Sequence, residues 1–299
     1  MLAIKNVTKK FGAKIALNNL SFNIPTGSVF GLIGSNGSGK STLLRIISGV
    51  YEPDGGSAEI DGESTYENVR LKGESFFISD FPYFYNNSTV ENLAVLYRQL
   101  YPNWSEIKFQ QLCSMFPIGV KDRIINMSKG MQRQAALMLA LSTCPKYLLL
   151  DEIFDGLDPV VRQLIKKLLI EMVVENQTTV IIASHNLREL EDVCDHVGLI
   201  HCGGIILEKE LDAAKLGIHR VQIVLGDEVG EGVFSDFNIV KSQRQGKLYE
   251  LTIKGDADEI TERLNALNPQ FMELLPLTLE EVFISEMEVA GYDINNILK

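Results

Sequence analysis

The chain has 299 residues, of which 45% are hydrophobic and 22% are charged, and its net charge is −11. This composition excludes a disordered chain, and the length predicts about two globular domains. The acidic charge argues against a nucleic-acid partner, because such surfaces need basic residues that displace phosphate counterions. No apolar stretch approaches the roughly 18 residues that cross a bilayer, so the sequence predicts no membrane span.

The first 33 residues have the pattern of short strands, which we predict at 2–7, 15–20, 22–24 and 29–33. The last of these strands is followed by a glycine-rich loop and then by an apolar helical pattern. That loop is Gly34-Ser35-Asn36-Gly37-Ser38-Gly39-Lys40-Ser41-Thr42. The order of strand, loop and helix is the context in which G-x-x-x-x-G-K-S binds phosphate.

The residue types of this loop suit a phosphate group. Small residues let successive backbone N–H groups point into one concavity, and the N-terminus of the helix adds partial positive charge. Lys40 is expected to reach the β- and γ-phosphates, and the Ser41 hydroxyl to ligate Mg²⁺. The alternative is a flexible surface loop, which requires neither the Lys-Ser pair nor the flanking strand and helix. The sequence therefore predicts a nucleoside triphosphate site that is lined by residues 35–42.

A second group of candidate residues follows a buried strand. Residues 147–150 form a continuous apolar run, which predicts a strand covered on both faces, and the run ends in Asp151 and Glu152. The end of a parallel strand places these carboxylates at the sheet edge beside the phosphate loop. Asp151 is expected to hold Mg²⁺ through water, and Glu152 to orient or deprotonate an attacking water. The alternative is an acidic pair that only caps the strand.

Two further elements complete the predicted core. A helix over 159–175 is expected, with Asp158 as its cap and Pro159 at its first position. Another buried strand is predicted at 179–183 and ends near His185. This histidine could donate a hydrogen bond to a γ-phosphate, and the alternative is a purely structural role. Strands that alternate with helices around a phosphate loop indicate an α/β core.

Between the two motif regions, residues from about 89 to 143 show the helical spacing of apolar side chains. Near the end of this region, at the start of a helix, stands Met127-Ser128-Lys129-Gly130-Met131-Gln132-Arg133-Gln134. With this segment the chain resembles the ATP-binding cassette (ABC) ATPases, whose signature is usually L-S-G-G-Q. The form S-K-G-M-x-x-Q resembles the variant in bacterial ABC-2-type exporters.

The resemblance covers residues 1 to about 210 and assigns a role to each motif. It makes 34–42 the Walker A loop, 148–152 the Walker B strand and 156–158, with Asp158, the D-loop. It also makes His185 the switch histidine. Phe11 matches the aromatic residue that stacks on adenine, although an ordinary core phenylalanine fits the same position.

The implied fold and cofactors follow from the same resemblance. We expect a P-loop ABC ATPase domain over residues 1–212, with a RecA-like α/β core, an antiparallel β subdomain and a helical subdomain at about 88–143. ATP and Mg²⁺ are the implied cofactors.

The signature implies a partner subunit. In the family, the residues at Ser128, Lys129, Gly130 and Met131 bind the γ-phosphate of an ATP that another subunit holds, and a helix N-terminus suits this anion. This chain has one phosphate loop and one signature. It is therefore expected to pair with itself or with a second ABC ATPase subunit around two ATP molecules.

Three positions depart from the family pattern. Ile153 stands in place of a proline, Asp155 in place of a serine, and Asp80 in place of the Q-loop glutamine. A carboxylate binds a hard cation more strongly than an amide does, so Asp80 is expected to be a metal ligand. The alternative is an aspartate that caps the turn before Phe81 and Pro82.

Residues 217–299 are expected to form a separate, accessory α+β domain. Strands are predicted at 221–225, 248–253 and 271–275, a helix at 256–267, and an amphipathic terminal helix from Leu279. No phosphate loop, metal-binding pattern or nucleophile pattern is present in this part of the sequence.

The resemblance implies the ATPase subunit of a membrane exporter, bound at the cytoplasmic face of the membrane to a separate transmembrane permease. The aromatic-rich segment 81–116 corresponds to the family's permease-docking region, although a plain helical core explains most of its aromatic residues. The alternative function is a soluble ABC ATPase that acts on ribosomes or DNA. Such proteins usually carry two cassettes with a charged linker, or long coiled coils, and the sequence has neither feature.

Overall fold

The structure is a computed structural model that describes residues 1–211, 218–226, 233–275 and 278–281. The chain divides into two compact units, Met1–Glu208 and Lys209–Lys299. No helix within the described ranges combines the length and the apolar character that crossing a bilayer requires.

The elements of the first unit follow one another along the chain as strands, helices and one 3₁₀ turn at Ile124–Asn126. In chain order they are β1 (Leu2–Phe11), β2 (Lys14–Ile24), β3 (Val29–Ile33), α1 (Lys40–Ile47), β4 (Gly55–Ile60), β5 (Glu63–Ser64), α2 (Val69–Glu74), β6 (Ser75–Ile78), α3 (Val90–Leu100), α4 (Glu106–Met115), α5 (Lys129–Ser142), β7 (Tyr147–Asp151), α6 (Pro159–Asn176), β8 (Thr179–Ser184), α7 (Leu187–Glu191), β9 (His196–His201) and β10 (Gly204–Glu210).

An antiparallel sheet with the order β2-β1-β4-β5 opens the unit. The hairpin of β1 and β2 has register shifts near Val7 and Lys9, which let the pairing continue along both strands. As a result the two strands expected at 15–20 and 22–24 are one continuous strand, and β1 extends to Phe11.

The second sheet carries the predicted site. Its order is β10-β9-β3-β8-β7-β6, and the pairs β3–β9, β3–β8, β8–β7 and β7–β6 are parallel. Every residue of β3, β7 and β8 is buried, which explains their continuous apolar sequences. Because β8 lies between β3 and β7 and the three strands are parallel, the phosphate loop after β3, Asp151 at the end of β7 and His185 after β8 lie at one edge of this sheet.

Three helices make up the region at about 88–143, and a hydroxyl caps the start of each one. Thr89 caps α3, Ser105 caps α4 and Ser128 caps α5, with N···O distances of 3.1, 3.2 and 3.2 Å to backbone N–H groups of the first turns. The α5 helix packs against both α3 and α4, and Leu137 and Leu141 on α5 are fully buried. The observed architecture confirms the predicted ABC-type α/β core with antiparallel and helical parts.

The second unit contains β11 (Ile218–Val224), β12 (Ile239–Gln245), β13 (Leu248–Lys254), α8 (Ala257–Asn265) and β14 (Phe271–Leu275). These strands form an antiparallel sheet with the order β12-β13-β11-β14, and Ile260 and Leu264 of α8 are buried in its core. The sequence did not predict β12, because five of its seven residues are polar and exposed. The predicted terminal helix begins at Leu279, and its continuation beyond residue 281 lies outside the described residues.

Candidate nucleotide-binding site

The glycine-rich loop connects β3 to α1 through a backbone shape that only glycine allows. Gly39, the N-cap of α1, has a φ of 116°. A Cβ atom at this position would lie 2.6 Å from the carbonyl oxygen of Ala16 and 2.7 Å from Cδ2 of Leu17. The absence of a side chain therefore lets the loop pass close to β2. The first N–H groups of an α-helix have no partner within the helix, so the start of α1 offers hydrogen-bond donors beside the loop.

Lys40 is buried and its ammonium group is held over the loop. Its Nζ donates hydrogen bonds to the carbonyl oxygens of Gly34, at 2.7 Å, and Ser35, at 3.3 Å. It also lies 3.4 Å from Oε1 of Glu152. The cation is therefore shared between the phosphate loop and the carboxylate that follows β7.

Glu152 has an unusual backbone conformation. Its φ is +49°, in the left-handed region that non-glycine residues seldom adopt. Its N–H donates to the carbonyl oxygen of Ala183, at 2.9 Å, so β8 fixes this turn. The conformation directs one carboxylate oxygen to Lys40 and the other to His185. Strain of this kind persists only where the surrounding structure determines it, as at functional sites.

His185 contacts the same carboxylate from the end of β8. Its Nδ1 lies 2.9 Å from Oε2 of Glu152, and its backbone N–H donates to that oxygen at 3.3 Å. Side-chain atoms of Glu152, Asp155 and His185 that can bind a metal lie within 4.8 Å of one another. In the sequence Asp155 stands out only as a departure from the family pattern, whereas the structure places its carboxylate beside Glu152 and His185.

Asp151 meets the requirements of a metal-binding carboxylate. Only 1% of its surface is exposed, and neither carboxyl oxygen has a hydrogen-bond partner among the described residues. Burial raises the pKa of Asp151, and the nearby charges of Glu152 and Asp80 raise it further. The Ser41 hydroxyl acts in the opposite direction and lowers the pKa of Asp151, although its geometry is not that of a hydrogen bond to either carboxyl oxygen. An unpaired buried carboxylate beside a hydroxyl fits a hard cation such as Mg²⁺.

Phe11 lies at the end of β1, at the rim of the groove. Its ring is 46% exposed and packs edge-on against Tyr51, with 5.7 Å between the ring centroids. An exposed ring does not behave as a core phenylalanine, and it offers a face to a planar base. The groove is lined by Phe11, Lys14, Ala16, Asn36, Gly37, Gly39, Lys40, Ser41, Thr42, Asp80 and Glu152.

The signature residues lie at the start of α5, next to the D-loop of the same chain. Ser128 is the N-cap, and its Oγ accepts a hydrogen bond from the N–H of Met131 at 3.2 Å. A Cβ atom on Gly130 would lie 3.1 Å from the carbonyl oxygen of Gly156. Asp158 caps α6, and its Oδ1 accepts hydrogen bonds at 3.0 Å from the first two free N–H groups. The predicted cap of α6 at Asp158, with Pro159 at the first position, therefore agrees with the structure.

Asp80 is an exception to the expected set of contacts. It lines the groove, but its Oδ1 forms an ion pair at 2.5 Å with Nη2 of Arg133 on α5. The ion pair competes with the metal contact that the sequence predicts for Asp80.

No sequence pattern singled out Arg133. The only signal available was the acidic residue at a Q-loop position together with an arginine in the signature helix.

The fold and this site define a P-loop nucleotide-binding protein. Residues 17–155 match the family model of the ABC transporters, and residues 123–191 match that of an AAA domain described as a putative AbiEii toxin of a type IV toxin–antitoxin system. The chain is 36% identical over 218 residues to the lantibiotic transport ATP-binding protein SrtF of Streptococcus pyogenes, covering 72% of this chain and 93% of that protein.

Other relatives match almost the whole chain. Identity to the ABC transporter ATP-binding protein YtrB of Bacillus subtilis is 28% over 286 residues, which cover 96% of this chain and 98% of YtrB. Identity to the Nod factor export ATP-binding protein I of Rhizobium leguminosarum is 30% over 290 residues, covering 94% and 93% of the two chains.

Solved structures agree with these relatives. An ATP-binding subunit of an ABC transporter superposes with a TM-score of 0.66 at 25% identity, over 72% of this chain and 92% of that one. A dimeric ATP-binding cassette with bound ADP and phosphate has the same fold, with a TM-score of 0.64 at 24% identity, over 71% and 99% of the chains. The chain belongs to the ABC transporter family, as an ATP-binding subunit with ATPase activity. The family and enzyme class that the sequence predicted are confirmed.

Proposed function

We propose that this chain is one of two cassettes that enclose two MgATP molecules, and that their hydrolysis drives a separate transmembrane permease that exports its substrate. The observation that carries the proposal is the position of Glu152, whose carboxylate bridges Lys40 of the phosphate loop and His185 of the switch position. This arrangement supports the proposal, because it brings a carboxylate, a buried ammonium group and an imidazole together in one site.

Each residue has a specific task in this proposal. Residues 35–42 bind the phosphates, with Lys40 reaching the β- and γ-phosphates, and Phe11 stacks on the adenine. Ser41 and Asp151 hold Mg²⁺, which when bound neutralises phosphate charge and orients the γ-phosphate. Glu152 takes a proton from the attacking water, and His185 positions that carboxylate and contacts the γ-phosphate.

The proposed dimer follows from the position of the signature. The start of α5 has N–H groups that suit an anion, and Lys129 adds a positive charge there. Gly130 packs against the D-loop at Gly156 rather than against the chain's own phosphate loop. We therefore assign Ser128, Lys129, Gly130 and Met131 to the γ-phosphate of the partner cassette, which is a second copy or another ABC ATPase subunit.

The proposed permease-docking surface is the exposed aromatic group Phe81, Tyr83 and Tyr85, named here the aromatic loop. These side chains are 72%, 81% and 65% exposed, a large apolar area for one short segment. The loop directly follows Asp80 at the rim of the nucleotide groove. A membrane protein that covered this loop would place the chain at the cytoplasmic face of the membrane, without a membrane span of its own.

The export direction is supported by relatives rather than by the site. The Nod factor export protein matches 94% of the chain, and the lantibiotic transport protein matches 72%. In this proposal the permease selects the transported substrate.

The test is purification of the tagged chain from detergent-solubilised membranes. We expect an integral membrane protein to co-purify with the wild type and to be lost from the Phe81→Ser/Tyr83→Ser variant. A matched control, Val160→Ser/Val174→Ser, removes two exposed apolar residues of α6 that are 79% and 70% exposed. The control should retain the partner. Recovery of ribosomes or DNA in place of a membrane protein would overturn the proposal in favour of the soluble alternative.

A further inference from the structure

Arg133 is a buried cation on α5 that joins two segments of the nucleotide site. Its side chain is 10% exposed. Nη2 forms an ion pair with Oδ1 of Asp80 at 2.5 Å and donates to the carbonyl oxygen of Asp80 at 3.0 Å. Nη1 donates to the carbonyl oxygen of Asp155. A single guanidinium therefore fixes the Q-loop position and the segment that follows Glu152.

Asp80 brings a negative charge to the place where phosphates bind. It lines the same groove as Lys40, Ser41 and Glu152. A free carboxylate here would repel the triphosphate more than a diphosphate, because the γ-phosphate adds charge at this end of the groove.

Arg133 offsets that repulsion. Charge-assisted hydrogen bonds from a guanidinium are strong and directional, and the planar group fits several oxygen acceptors at once. The contact with the Asp80 carbonyl oxygen fixes the backbone as well as the carboxylate. A second cation, Lys129 at the start of α5, lies 5.9 Å from the centroid of the Phe81 ring and adds positive charge to the same neighbourhood.

We propose that Arg133 is a positioning residue that holds and neutralises Asp80, so that the groove accepts the γ-phosphate of ATP although a carboxylate replaces the Q-loop glutamine. The inference rests on the proposed function only where that function places the γ-phosphate near Asp80. In this arrangement the partner of Asp80 is the guanidinium of Arg133 and not the metal ion.

The test compares binding of a fluorescent, non-hydrolysable ATP analogue and of the matching ADP analogue, each with Mg²⁺. We expect Arg133→Gln to weaken binding of the ATP analogue by about tenfold or more, and of the ADP analogue by a smaller factor. Adding Asp80→Asn to Arg133→Gln should restore affinity for the ATP analogue to within about threefold of wild type. The loss in the single variant should shrink at high salt, since ions screen the unpaired charge.

Two further variants separate charge from folding. Lys166→Gln removes another buried cation, which lies on α6 and pairs with Asp192 at 3.0 Å, and it should leave the ATP-to-ADP preference unchanged. If Arg133→Gln fails to fold, Arg133→Lys takes its place in the test. It keeps the charge but not the planar group, so it should weaken binding of the ATP analogue by a smaller factor than Arg133→Gln, still more than that of the ADP analogue, and Asp80→Asn should restore the affinity.

Three results would overturn the inference. The first is an equal loss of affinity for the ATP and ADP analogues in Arg133→Gln, and the second is no recovery of affinity when Asp80→Asn is added. The third is a changed midpoint of the Mg²⁺ titration in the Asp80→Asn single variant, which would identify Asp80 as a metal ligand. A wild-type protein that binds neither analogue would instead contradict the proposed function.

Discussion

Oε1 of Glu152 lies 3.4 Å from Nζ of Lys40, and only 11% and 5% of the two side chains are exposed. Charges this close interact strongly when water is largely excluded. The cation of the phosphate loop and the proposed base therefore hold each other in place. In the proposed function, phosphate oxygens that enter the loop would compete with Glu152 for Lys40 and so release the carboxylate to accept a proton.

Lys40→Ala should weaken nucleotide binding by about tenfold or more, because a charge-assisted contact to phosphate contributes roughly 1.5–3 kcal/mol. The measurement is a fluorescence titration with MgATP at a concentration of protein below the dissociation constant. Lys167→Ala is the matched control, since Lys167 is exposed on α6 and its side chain is 75% accessible. Unchanged affinity in Lys40→Ala would show that the cation does not contact the phosphates.

Glu152→Gln should reduce turnover by about 10²-fold or more, because the amide keeps the shape of the side chain but cannot take a proton. Nucleotide binding should persist, since the substitution removes no positive charge from the loop. Phosphate release measures the turnover. Gel filtration with ATP tests whether nucleotide still binds, because the variant should then accumulate as an ATP-bound dimer. Wild-type turnover in this variant would exclude Glu152 as the base.

Ser128→Arg should abolish hydrolysis and leave the nucleotide affinity of a single subunit nearly unchanged, because the proposed dimer places Ser128 against the ATP of the partner subunit. Ser128→Thr is the control, as it keeps a hydroxyl at the N-cap of α5. Mixed dimers of Ser128→Arg and Lys40→Ala should retain at most one intact site. Loss of binding in the isolated Ser128→Arg monomer would place Ser128 in its own subunit's pocket.

Asp151→Asn should raise the melting temperature of the nucleotide-free protein at neutral pH and abolish the Mg²⁺-dependent part of nucleotide binding. Burial raises the pKa of Asp151 above its ordinary value of 3.8. Between these two pKa values the folded state binds more protons than the unfolded state, so the free energy of unfolding falls as the pH rises. Asparagine has no charge at any pH and therefore avoids this loss of stability.

The difference in melting temperature between Asp151→Asn and wild type should therefore shrink as the pH is lowered through the raised pKa. Differential scanning calorimetry at several pH values measures this difference. In a domain of this size, each kcal/mol of stability changes the melting temperature by about 2–4 °C. A variant that melts below wild type at every pH would show that the Asp151 carboxylate stabilises the fold, contrary to its unpaired state.

Local signals allowed the elements that carry the candidate site to be predicted from the sequence. The glycine at position 39, the apolar run that ends at Asp151 and the Asp158-Pro159 cap each act within a few residues, and the structure shows the elements that they predict. These signals are local because backbone conformation, strand burial and helix capping depend on neighbouring residues.

Contacts between distant segments were not predictable in the same way. Arg133 and Asp80 are 53 positions apart in sequence, and no periodicity relates them. Asp155 is close to His185 only because β7 and β8 are neighbours in the sheet. The strand β12 has no apolar alternation, since it lies at the sheet edge with its polar side chains exposed.

The left-handed backbone of Glu152 has a consequence for directed evolution of this protein. A side chain at a φ of +49° costs conformational energy that glycine does not incur, and asparagine incurs less. The same replacement would leave the buried Lys40 without its carboxylate partner, and losing one partner of a buried ion pair costs more than the relief of such strain returns. A library sorted by melting temperature, even without an assay of ATP turnover, should therefore retain Glu152, because its ion pair with Lys40 outweighs the strain of its backbone.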